Sequence, residues 1–97
     1  MTYSLLLIDQ RRRWLAIASA TCTPAVGATV PAARATIGGV VSQAHTNSAL
    51  RHVALDLLAS GASAESAVTG ALAQDDQPGL RQLGVLDAHG VAAHHTG

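Results

Sequence analysis

Residues 2–21 read TYSLLLIDQRRRWLAIASAT, two apolar runs on either side of a short basic interruption. Tyr3 to Ile8 and Arg13 to Ser19 have strand lengths, and Asp9 to Arg12 form a polar turn between them, so the pattern predicts a β-hairpin. Both runs are nearly continuous in apolar residues, the composition of strands covered on both faces. A sheet of that kind lies between other layers, and the rest of the chain has to supply them.

After the hairpin, TCTPAVGATVPAARA contains Pro24, Gly27 and Pro31 and reads as a break in regular structure. The strand signal returns in TIGGVVSQ, Thr36 to Gln43, where Gly38 and Gly39 allow close backbone approach. The middle is helical. With Asn47 as N-cap, Leu50, Val53, Ala54, Leu57 and Leu58 recur at helical spacing and paint one apolar face, and Gly61 fits a left-handed stop. Ser63 starts a second helix with Glu65 in its first turn and Ala67, Val68, Ala71 and Leu72 on its apolar face, ending before DDQPG. Leu80 to Leu86 is a further strand, DAHG a turn, and Val91 to His95 a returning strand. The fold class expected is α+β: antiparallel sheets with a helix pair.

At 97 residues the chain is one small domain, or part of one. Charged residues make up only 12% against 48% hydrophobic ones, and the usual charged share is about 25%. Such a chain hides most of its surface, which points to a partner. Six Arg, no Lys and six acidic residues leave no electrostatic footprint for nucleic acid or an anionic membrane. Arg11, Arg12 and Arg13 read as a solvated turn. The lone Cys22 excludes an internal disulfide and reads as an inert, packed thiol. Adjacent His94 and His95 point to opposite faces of a strand, so no metal motif emerges and no cofactor is expected. Without a signal peptide or a span of about 18 apolar residues, a cytoplasmic location is the default expectation.

Thr2 has two readings. It is a β-branched residue starting a strand, or, once Met1 is removed, an N-terminal threonine whose own α-amine can serve as base. That amine has a reference pKa of about 7.7–8.0, so a useful fraction is neutral at physiological pH.

The segments TYSLLLID, WLAIAS, AVGATVPAARATIGGVVSQ, ALDLLASGASAESAV and RQLGVLDAHGVAAHHTG together resemble, in order, bacterial proteins of unknown function assigned to the Ntn (N-terminal nucleophile) hydrolase superfamily. The likeness covers nearly the whole chain. It departs in the longer SATCTPAVG segment, at Ala32 where Trp is usual, and in NSALRH, which lacks the usual Tyr-Gly. Members of that family are about twice as long, so the resemblance is to their first half. It implies an α/β/β/α sandwich of which this chain supplies roughly half.

What the resemblance implies for function is hydrolysis of a small amide or peptide-like bond. Thr2 would be nucleophile and base, Ser19 and Thr21 would lie beside its amine, and Arg34 would supply positive charge or hold an anionic substrate. A second reading makes the chain a non-catalytic subunit, or a fragment of an autoprocessed hydrolase whose nucleophile lies on another chain beyond Gly97. On either reading an apolar sheet face, expected from Leu5-Leu6-Leu7-Ile8 and Val85-Leu86, needs covering by a second copy or a second chain.

Overall fold

A computed structural model describes residues 1–97. The elements run β1 (Thr2–Asp9), β2 (Trp14–Thr21), a one-turn helix α1 (Val26–Thr29), β3 (Pro31–Arg34), β4 (Gly38–Ala44), α2 (Ala49–Ala59), α3 (Ala64–Leu72), a 3-10 turn (Pro78–Leu80), β5 (Arg81–Asp87) and β6 (Ala92–Thr96). The α+β class expected from the pattern holds. Every strand pairing is antiparallel: β1 with β2 in a two-stranded sheet, and β3-β4-β5-β6 in a four-stranded one.

The four-stranded sheet is the middle layer. Its register puts Val40 and Ser42 of β4 with Leu83 and Val85 of β5 on one face, where Leu50, Ala54, Leu55 and Leu58 of α2 and Ala64, Ala67, Val68 and Ala71 of α3 complete the core. The small Ala residues of α3 let that helix lie close to the sheet. Its start is set by Ser63, whose Oγ accepts the Ser66 N–H at 3.1 Å. At the start of α2, Asn47 Oδ1 accepts the Ala49 N–H at 3.1 Å, and past its end Gly61 adopts φ +97.

The opposite face of the sheet carries Gly39, Val41 and Gln43 with Gln82, Gly84 and Leu86, and the β1–β2 hairpin seats on it. A Cβ on Gly39 would lie 3.0 Å from both Ile17 Cδ1 and Leu15 Cδ2, so the absent side chain is what lets the hairpin approach.

Four expectations are corrected. Pro31 does not end regular structure: it opens the edge strand β3, where a missing N–H costs no ladder bond. The strand expected from Thr36 starts only at Gly38, because Thr36, at φ +65, lies in the tight turn closed by Ile37 N–H to Arg34 O at 3.1 Å. The hairpin, thirdly, is covered on one face only. Leu6, Ile8, Leu15 and Ile17 turn inward, while Tyr3, Leu5, Leu7 and Trp14 stand 68, 64, 52 and 46% exposed. Continuous apolar character here reflects an outer face left bare. Val85 and Leu86, expected on an open face, are buried at 2 and 9%.

The segment leading into β5 is tied down by an ion pair. Arg81 Nε lies 2.5 Å from Asp75 Oδ2 and its Nη2 donates to Asp75 Oδ1 at 3.0 Å, the two side chains being 10 and 3% exposed. The Arg81 hydrogen bonds hold the Asp75 carboxyl at about 2, below its ordinary 3.8. Because the folded-state value is depressed, the stabilisation is complete above about pH 4 and lost as pH falls towards 2. In urea titrations between pH 5 and 2, the wild type should therefore lose stability more steeply than Asp75→Asn; parallel pH profiles would show that the pair contributes nothing.

Candidate functional site

The first residue of β1 is opposite the last of β2, and both side chains turn inward. Thr2 Oγ1 lies 3.0 Å from Thr21 Oγ1, and Thr21 Oγ1 donates to the Met1 carbonyl at 3.3 Å. Two residues further in, Ser4 Oγ lies 2.9 Å from Ser19 Oγ. The alternation of a strand places all four hydroxyls on the hairpin's inner face. Thr21, and not Ser19, is thus the immediate neighbour of Thr2; Ser19 belongs to the next rung.

Gln43 links this hydroxyl ladder to the middle sheet, and residue types alone gave no sign of its role. At 7% exposure its Nε2 donates to the Thr2 carbonyl at 3.1 Å and to Gln82 Oε1 at 2.6 Å, and its Oε1 accepts from Ser4 Oγ at 2.6 Å. Gln82 continues the chain to Thr96 Oγ1 at 3.1 Å. The readable signal was register: Gln43 and Gln82 are directly opposed in the β4–β5 ladder. Gln43→Leu keeps the volume but leaves the Thr2 carbonyl and Ser4 hydroxyl short of partners. It should cost about 2 kcal/mol in denaturant titrations; an unchanged midpoint would mean that the hairpin is held by apolar contacts alone.

Arg34 is not part of this cluster. It pairs in register with Gly38, at the other end of β4 from Gln43, so five residues at ~3.4 Å each put it about 17 Å away along the strand. Its guanidinium instead meets Asp56 of α2 at 2.8 Å. It also lines a cavity of about 560 Å³ between the hairpin turn and the β3–β4 turn. Meanwhile Cys22, read as a packed thiol, is exposed just past β2. No group of three or more His, Cys, Asp or Glu is close enough to hold a metal ion.

A family model described as a family of unknown function, DUF1028, matches residues 2–97. The chain belongs to this family. It is also similar to the crystal structure of protein SPO2555 from Silicibacter pomeroyi, assigned to DUF1028, with 32% identity and a TM-score of 0.94. That match covers 99% of this chain and 45% of the other, so the chain spans less than half the length of this relative. No curated protein matches it. The family description names no activity, so the chemistry of this DUF1028 chain has to be argued from its own hydroxyl ladder. No helix is long and apolar enough to cross a membrane.

Proposed function

We propose that the chain forms part of an Ntn-type hydrolase acting on a small amide or peptide-like bond, with Thr2 as nucleophile. The observation that carries this reading is the Thr2–Thr21 pair beside an 87% exposed Met1. Met1 is open to an aminopeptidase, and its loss would remove the carbonyl that Thr21 now serves. The α-amine released on Thr2 would take the Oγ1 proton, directly or through water, as Oγ1 attacks the amide carbonyl carbon. The C–N bond then breaks, the amine leaves with that proton, and water hydrolyses the resulting ester to free Thr2. Gln43 and Ser19 are positioning residues in this scheme and Arg34 has no part in it. The reaction needs no cofactor.

The superfamily's α/β/β/α sandwich fits the layering if a further helical layer covers the outer face of the hairpin. Tyr3, Leu5, Leu7 and Trp14 form an apolar stripe of a kind rarely left bare on a monomer. A second copy or a second chain is its proposed cover, and the cytoplasm the proposed location. Light scattering of the 97-residue chain should show self-association that weakens in a Leu5→Ser/Leu7→Ser variant. A stable wild-type monomer that binds no hydrophobic dye would overturn this part of the reading.

One observation favours the second reading, a supporting unit whose nucleophile lies on another chain: the cavity of about 560 Å³ is at the opposite end of the hairpin from Thr2. An amide-substrate panel on wild type and Thr2→Ala separates the two. Turnover lost with Thr2 supports the nucleophile; turnover indifferent to Thr2 supports the second reading.

A further inference from the structure

The cavity far from Thr2 has a chemistry of its own. Its walls combine Ile8, Leu15 and Trp14 of the hairpin with Ile37 of the β3–β4 turn, and its cationic groups are Arg13 and Arg34. No carboxylate lines it. At about 560 Å³ it falls within the usual range for small-molecule sites, which pair apolar walls with a few convergent polar groups.

The two guanidiniums are differently engaged. Arg13 makes no ion pair and sits at φ +58, a left-handed conformation uncommon for a residue with a side chain. Arg34 gives one Nη to Asp56 at 2.8 Å, with side chains 40 and 70% exposed. Exposed pairs of that sort are weak, and a guanidinium has five N–H donors, so Arg34 can serve an incoming anion beside Asp56 or in its place.

We propose that this cavity binds a small organic oxyanion, a carboxylate or phosphate ester on an apolar or aromatic body, with Arg13 and Arg34 meeting the anion and Trp14 and Leu15 the body. Two guanidiniums in a half-enclosed cavity with no carboxylate in its wall favour oxyanions, carboxylate or phosphate, that accept paired N–H donors. The site lies at the other end of the hairpin from Thr2, and its occupancy does not depend on whether Thr2 is a nucleophile.

Trp14 is the chain's only tryptophan and lines this cavity, so its fluorescence reads occupancy once self-association is held constant, as in the Leu5→Ser/Leu7→Ser background. Benzoate and phenyl phosphate, titrated into the full chain, separate the two oxyanion sources, and benzyl alcohol tests the apolar body without charge. Saturable change with either anion, and at least about tenfold weaker response to the alcohol, is expected. Arg13→Gln and Arg34→Gln should each weaken binding about tenfold or more with an unchanged circular dichroism spectrum. Asp56→Asn, which frees Arg34 without touching the cavity wall, should tighten it about two- to fivefold. A purely structural role for Arg34 would not produce that gain. The proposal is overturned if neither anion saturates at millimolar concentration, if benzyl alcohol binds as well as the anions, or if the Arg variants bind like wild type.

Discussion

Thr2→Ala is expected to lower amide hydrolysis by at least about a thousandfold, since the variant has no nucleophile for the amine to activate. Folding should hardly notice. The side chain is at the strand's first position and gives up one hydrogen bond, to Thr21, so a loss of no more than about 1 kcal/mol is expected. Thr2→Ser keeps the hydroxyl and should retain most of the activity, which distinguishes nucleophile from packing group. Equal loss in Ala and Ser variants would point to the methyl group instead.

The largest effect on stability should come from Gly38→Ala. Gly38 opens β4 at φ +152 and pairs with Arg34 on one side and Asp87 on the other. A Cβ there would collide with the Leu86 carbonyl oxygen and lie 3.1 Å from both the Asp87 Cα and Leu58 Cδ1. Backbone cannot step aside as a flexible side chain can. Steric overlap and strain together should cost on the order of 3 kcal/mol, read as a lower urea midpoint at unchanged slope. Gly39→Ala meets only the tips of Ile17, Leu15 and Leu6 and should cost less. If the two substitutions cost the same, the β4–β5 approach is looser than described.

These contrasts also show where the sequence was legible. The helix pair was plain because Leu50, Ala54, Leu57 and Leu58 repeat at helical spacing and Ser63 and Gly61 are local punctuation that acts within a turn of where it stands. The hairpin was equally plain, but its environment was not. Strands of continuous apolar character look alike whether the second face is buried or awaiting a partner, and only the layering shows that Leu5 and Leu7 face outward. Strand β3 escaped because Pro31 signals a break by itself, whereas its role as an edge residue depends on β4, which lies beyond it in the chain.

The candidate site divides the same way. Thr2 and Thr21 were visible as residues at facing ends of a predicted hairpin. Gln43 was not, since its importance comes from sheet register and from contact with the hairpin across a layer boundary. Arg34 was placed wrongly for a related reason: nothing local tells which end of β4 an adjoining turn occupies relative to Thr2, and the antiparallel turn at residues 35–37 carries it to the far end.

Whether Thr2 is a nucleophile can be read directly by mass. Purified protein that hydrolyses an amide should be treated with an electrophilic β-lactone and examined intact and as peptides. The account predicts a chain lacking Met1, with the adduct on the peptide beginning at Thr2 and no labelling in Thr2→Ala. Active protein that retains Met1, or carries its adduct elsewhere, would contradict it.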